Sequence, residues 1–300
     1  MKQFSILSLF FFLIAIYTNI FAQAFDPVFA NGDLRRTLSD NWELDSTTRK
    51  GTFLILPYKP TYVLPTRFST NPNFQPASEN PDYVLPLVVP YNKVEAKIQL
   101  SFKSKVIEGL FNGYGDVWVA YTQKSHWQVY NSDLSRPFRE TNYEPEVILN
   151  FPTKFKLLGF ENKMIGIALN HQSNGRIVPL SRSWNRIIFH TAFEKQNWQV
   201  YIRPWLRLKD EEDENPSISD YTGRGDMTVI HSKGKHIFTL IGRHSLNKSN
   251  RGNIQLDWAF PIKGYLKGHL QLFEGYGETM IDYNHKQTIV GLGVSLIEWM

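Results

Sequence analysis

Strict alternation of apolar and polar positions recurs along this chain from residue 53 almost to its end. In 94–103, Val94, Ala96, Ile98, Leu100 and Phe102 interleave with Glu95, Lys97, Gln99, Ser101 and Lys103. In 198–209, Trp198, Val200, Ile202, Leu206 and Leu208 interleave with Gln199, Tyr201, Arg203, Arg207 and Lys209. A strand turns successive side chains to opposite faces, so each segment has one oily and one charged face. Similar rows lie at 53–64, 117–130, 145–155, 163–175, 183–193, 226–233, 236–245, 253–262, 264–273 and 287–299. The pattern predicts about twelve strands of roughly ten residues. Turn material such as Asn112-Gly113-Tyr114-Gly115 and Ser232-Lys233-Gly234-Lys235 divides them.

Two all-β architectures use such a pattern. A β-sandwich buries its apolar faces between two sheets and wets the polar ones. A transmembrane barrel does the reverse, turning the apolar faces to lipid and enclosing the charges. Segment length favours the barrel, as do the Trp and Tyr residues crowded near segment ends, where interfacial girdles sit. Export favours it too. Lys2 precedes the largely apolar run 4–17, too short to span a bilayer, and Ala22-Gln23-Ala24 follows as a small-residue cleavage site. Residues 1–24 therefore read as a cleaved signal peptide and 25–300 as the exported barrel domain. No later apolar stretch is long enough for a membrane helix.

Composition narrows the function. Aromatics at 14% exclude a disordered chain, and a net charge of +5, scattered along the sequence, does not support a nucleic-acid partner. With no Cys there is no disulfide framework, thiolate metal site or Cys nucleophile. HExxH, P-loop, GxSxG and GxGxxG motifs are all absent. What stands out is His171-Gln172-Ser173-Asn174-Gly175-Arg176, followed by Ser181-Arg182-Ser183-Trp184-Asn185-Arg186.

By the period of two, His171 and Ser173 continue the oily row Ile165, Ile167, Leu169, while Gly166, Ala168, Asn170, Gln172 and Asn174 face the other way. Asn185 likewise heads the apolar row Ile187, Phe189. Polar groups on a lipid-facing row need a reason, since a charge near the midplane costs roughly 2–4 kcal/mol. If the two segments pair, Asn185 arrives beside His171 and the side chains form a line Ser–His–Asn. His is the base suited to activating a Ser hydroxyl, and an acceptor on its second nitrogen fixes the tautomer. A neutral Asn suits a membrane surface, where a carboxylate would be expensive to desolvate. The competing reading is a pair of interface-level polar residues bonded to lipid headgroups.

The sequence resembles the outer membrane phospholipase A enzymes of Gram-negative bacteria. The resemblance runs through Ala120-Tyr121-Thr122-Gln123-Lys124-Ser125, Pro137 to Pro145, Asn170 to Arg176, Ser181 to Arg186, Glu274-Gly275-Tyr276-Gly277-Glu278 and Ile281-Asp282-Tyr283-Asn284. It implies a twelve-stranded antiparallel transmembrane β-barrel in the outer membrane, a calcium-dependent acyl hydrolase of phospholipids and lysophospholipids, and an active homodimer. The implied catalytic residues are Ser173, His171 and Asn185, the trio that the periodicity selects. The implied Ca2+ ligands are the Arg176 carbonyl, the Ser181 hydroxyl and the partner subunit's Ser135 carbonyl, with the Gly175 amide as oxyanion donor. Glu214, or Asp213 one residue earlier, corresponds to a second calcium position. Gln123, in the outward row Val117, Val119, Tyr121, is a candidate inter-subunit contact. Two departures stand out: Ile177-Val178-Pro179-Leu180 is apolar where an acidic residue is expected, and the chain ends in Met rather than Phe. The alternative class is a passive porin or structural barrel, with Glu95, Lys97, Arg203 and Arg207 lining its lumen.

Overall fold

The computed structural model describes residues 36–299, so the expected signal segment lies outside the described residues. Its strands are β1 Thr61–Ser69, β2 Val94–Ile107, β3 Asp116–Trp127, β4 Glu140–Leu157, β5 Phe160–Ser173, β6 Ser183–Lys195, β7 Trp198–Leu208, β8 Gly225–Lys233, β9 His236–His244, β10 Gly252–Lys263, β11 Leu266–Gly275 and β12 Gln287–Ile297. Each pairs antiparallel with its neighbours in sequence, and β12 closes on β1 through pairs such as Ile289↔Ser69 and Leu292↔Thr66. The result is a closed twelve-stranded barrel. No helix among the described residues is long and apolar enough to cross a membrane.

The predicted strands fall where the alternation put them, their ends moving by a few residues, with one correction. The segment expected at 53–64 is interrupted. Leu56–Pro57 makes only a two-residue pairing with Phe102 and Lys103 of β2, and the regular strand starts at Thr61. Pro57 and Pro60 have no N–H to give a ladder, which explains the break. The Pro60 carbonyl is taken instead by the Gln99 side chain, at 2.7 Å.

The two faces divide as lipid and lumen require. Leu100, Phe102, Leu169, Leu206 and Leu292 are exposed on the outer wall, while Glu95, Lys97, Gln99 and Lys103 are buried inside. Charges enclosed in this way need partners. Glu95 accepts from Arg67 at 2.7 Å and Arg139 at 2.8 Å. Lys97 meets Glu278 at 2.7 Å, and Glu144 takes Lys59 and Arg186, each at 3.1 Å. These enclosed charges are spent on ion pairs, and a cavity of about 70 Å³ lies among Lys59, Glu144, Arg186 and Glu278.

The ends differ. At one, tight turns such as Leu158-Gly159 join the strands, both residues at positive φ as a right-twisted hairpin demands. The short helix α1, Leu38–Trp42, inserts there. Trp42 meets Trp118 edge-on at 5.7 Å and carries the Lys103 ammonium 3.3 Å above its ring. A second short helix, α2 Ile218–Thr222, follows β7 at the other end, where the connections are longer. Loop 276–286 folds over the opening, its Asp282 bonded to Arg139 at 3.1 Å. Burial alone would raise the Asp282 carboxyl, but the Arg139 guanidinium and the Thr279 hydroxyl hold it below its usual range.

Candidate active site

The β5–β6 hairpin builds the site at the long-loop rim. Its register pairs His171 with Asn185 and Ser173 with Ser183. His171 Nδ1 lies 2.8 Å from Asn185 Oδ1. An amide oxygen only accepts, so Nδ1 carries the proton and the Nε2 lone pair is left free. Ser173 follows two residues along the same face, paired across β4 with the outward Tyr143. Below the trio lie the exposed Ile165, Ile167 and Leu169, with Leu206 on β7, while Leu208 stands level with Asn185. The three polar side chains therefore sit where the oily wall ends.

After Ser173 the chain leaves the sheet. Gly175, at φ +61°, makes the turn beneath the Tyr143 ring, which would lie 3.2 Å from an added Cβ. The loop it opens carries the other expected residues. Arg176 is anchored by Nη1 donating to the Arg139 carbonyl at 2.8 Å. Ser181 Oγ donates to Glu214 Oε1 at 2.5 Å, while Glu214 Oε2 is buried without a partner. Asp213 is instead engaged by Arg207 at 2.6 Å and the Asn215 amide at 3.0 Å. Of the two acidic residues, only Glu214 meets Ser181.

Ser135 stands apart, on the loop between β3 and β4, where its carbonyl accepts from Trp127 Nε1 at 2.7 Å. Gln123 lies on the outer wall, accepting from the Tyr121 hydroxyl and donating to Ser125 Oγ, each at 3.1 Å. The chain's own contacts thus already satisfy part of its amide. Among the described residues no group of three or more His, Asp or Glu side chains gathers as a metal cluster. The oxygens near the loop are a carbonyl, a hydroxyl and one orphaned carboxylate oxygen, a set that fits a hard cation such as calcium.

Sequence reasoning missed the supports of this loop. Asn174 is buried and bonds both of its arms, and Glu140 grips Asn174 from β4 at 3.2 Å. Both face inward, as ordinary lumen residues do, so alternation gives no signal for them.

Fold and site together define an antiparallel barrel of outer-membrane type that carries an imidazole–amide pair, with a serine two residues further on, near its long-loop rim. The family model described as Phospholipase A1 matches residues 38–296. Phospholipase A1 of Klebsiella pneumoniae is 36% identical over 244 residues, covering 81% of this chain and 82% of that one. Among solved structures, outer membrane phospholipase A from Escherichia coli superposes with a TM-score of 0.73 at 33% identity, covering 82% of this chain and 95% of that one. The Salmonella typhi outer membrane phospholipase dimer with bound calcium gives 0.74 at 32% identity, covering 83% and 95%. The chain belongs to the phospholipase A1 family: it is an ester-hydrolysing enzyme and a barrel of the outer membrane.

Proposed function

We propose that the chain hydrolyses acyl ester bonds of phospholipids and lysophospholipids within the outer membrane, with Ser173 as nucleophile, His171 as base and Asn185 as its orienter, and that calcium and homodimerisation activate it. The observation that carries this reading is the 2.8 Å His171–Asn185 pair on the outer wall, with Ser173 next in the same row. Asn185 fixes the tautomer that leaves Nε2 as base. Nε2 takes the Ser173 proton as Oγ attacks the ester carbonyl. The same proton then goes to the departing glycerol oxygen, leaving an acyl-Ser173 ester. A water, deprotonated by Nε2, attacks that ester and releases the fatty acid and free Ser173.

The Gly175 N–H stands one residue beyond the nucleophile's neighbour and is the oxyanion donor in this scheme. Calcium would be held by the Arg176 carbonyl, the Ser181 hydroxyl and the partner subunit's Ser135 carbonyl, with Glu214 as a second position, and would supply positive charge beside the developing oxyanion. The Salmonella typhi relative's calcium-bound dimer supports this part. Gln123 is the proposed polar contact between subunits, since apolar walls gain nothing by leaving lipid. In the same reading residues 1–24 are a removable leader, and the mature protein starts at Phe25.

Fatty-acid release from mixed micelles, run beside sedimentation in detergent over a calcium titration, tests the scheme. Chelation should abolish release, and calcium should promote dimers, because ligand linkage is reciprocal. A monomer fully active without calcium would overturn it.

A further inference from the structure

Between Ser173 and Ser183 the chain runs outside the sheet for nine residues, and those residues carry Gly175, Arg176 and Ser181. A loop of this length needs something to hold its shape. The hairpin ladder does not: beyond Ser173↔Ser183, only the Asn174 N–H continues it, donating to the Arg182 carbonyl at 3.1 Å. The return bond is made by a side chain. Arg182 N–H donates to Asn174 Oδ1 at 3.0 Å, and Arg176 N–H approaches the same oxygen at 3.3 Å. Asn174 Nδ2 donates to the Leu180 carbonyl at 2.7 Å and to Glu140 Oε1 at 3.2 Å. One amide thus uses its two acceptor and two donor capacities.

The bonded loop residues are 176, 180 and 182. They include Arg176 itself and both neighbours of Ser181. The amide is fixed in turn, because Glu140 is buried and also accepts from Asn142 Nδ2, at 2.6 Å. The same stretch of β4 makes a second tie, the Arg139 carbonyl accepting from Arg176 Nη1 at 2.8 Å. Neither Asn174 nor Glu140 faces the lipid side where the ester would lie, so neither is a catalytic residue.

We propose that Asn174, gripped by Glu140, is the positioning residue of this site: it staples the loop so that the Arg176 carbonyl, the Ser181 hydroxyl and the Gly175 amide converge beside Ser173. This rests on the function proposed above for those three groups. The staple requires a donor and an acceptor on residue 174 and an acceptor on residue 140. Asn174→Asp keeps the acceptor but removes the donor and sets a second carboxylate against Glu140. Glu140→Gln keeps an acceptor for Asn174. The double variant reverses the polarity of the pair, the new amide at position 140 donating to the new carboxylate at position 174.

The test compares Asn174→Asp, Glu140→Gln and the double variant in folded, detergent-solubilised barrels. It reads kcat, KM, calcium binding by titration calorimetry and amide exchange over 175–182. Asn174→Asp should lower kcat at least tenfold and weaken calcium binding at least tenfold, with KM nearly unchanged and exchange faster in this loop alone. Glu140→Gln should stay within about threefold of the parent, and the double variant should recover only the part of the loss that comes from the facing carboxylates, because residue 174 still lacks a donor for the Leu180 carbonyl. If Asn174→Asp does not fold, Asn174→Ala, which removes donor and acceptor together and adds no charge, carries the same expectations for kcat, calcium binding and exchange. Parent-like kcat and calcium binding in a folded residue-174 variant would overturn the proposal, as would a double variant restored to the parent's kcat. A parent protein that releases no fatty acid would sink the proposed function instead. The exchange and calorimetry would still read the staple.

Discussion

Asn185→Ala separates orientation from proton transfer. The substitution removes one hydrogen bond, the 2.8 Å contact to His171 Nδ1, and little else. The backbone pairs of Asn185 with His171 and Leu208 do not depend on its side chain. A hydrogen bond of this kind contributes about 0.5–1.5 kcal/mol net, and 1.36 kcal/mol is tenfold in rate. If the amide only orients the ring, kcat should fall roughly two- to twelvefold. His171→Ala removes the base itself, and general acid–base catalysis is worth about 10²–10⁴-fold. The two variants should therefore differ by roughly eightfold or more. Initial rates of fatty-acid release at saturating calcium measure this, with heat-modifiable gel mobility as the check that both barrels are folded. Equal losses of a thousandfold would refute the reasoning, and would mean that Asn185 stabilises the charged ring rather than holding it.

Ser173→Ala should abolish hydrolysis while leaving the barrel intact, because this rim-level hydroxyl supports no packing; activity within tenfold of the parent would remove Ser173 as nucleophile. Trp42→Ala should lower stability by about 3–5 kcal/mol, the range for large aromatic truncations, since Trp42 is 5% exposed against Trp118 and Lys103. Its place toward the tight-turn end predicts unchanged turnover in denaturant-free assays, and a parent-like denaturation midpoint would contradict the packing. The Asp282 carboxyl titrates below its unfolded value, so its contribution is present above ordinary carboxylate pH and lost as pH falls through the lowered folded value. Acid titration followed by proteolysis of loop 276–286 should show protection at pH 5 that disappears only well below pH 4, where about 3.9 is the ordinary Asp value. Loss of protection already near pH 5 would refute the Asp282–Arg139 tie.

The wall was legible because lipid outside and charge inside enforce a period of two on every strand. Segment 198–209 returns as Trp198–Leu208, and 183–193 as Ser183–Lys195. The strand at 53–64 was misplaced because its apolar residues alternate well enough while Pro57 and Pro60 deny it a ladder. His171, Ser173 and Asn185 could be picked out for the opposite reason: each is polar in a row that should be oily. Asn174 and Glu140 could not, since a polar residue facing the lumen is what the pattern expects there. Helix α1 was invisible for want of length. Five residues carry no period, and nothing local says that Leu38 and Trp42 are buried. The contact between Ser181 and Glu214 joins two loops 33 residues apart, which no spacing rule links.

The wall also bears on how the proposed trio is held in place. Directly behind the His171–Asn185 pair, on the inner face, Asn170 pairs in register with Arg186, and Arg186 Nε donates to Asn170 Oδ1 at 2.9 Å. Arg186 also reaches Glu144 across the lumen side at 3.1 Å. A slip of one residue in this hairpin would exchange the faces, sending Arg186 toward lipid and His171 into the ion-pair network. A cation on that wall costs roughly 2–4 kcal/mol at the midplane and less near the rim, and Glu144 would lose one of its partners. The register that sets the imidazole against its amide is therefore held by charges that never touch the substrate. The charge stays inside, paired, where it fixes geometry. The outer pair holds no carboxylate, and the imidazole stands against an amide.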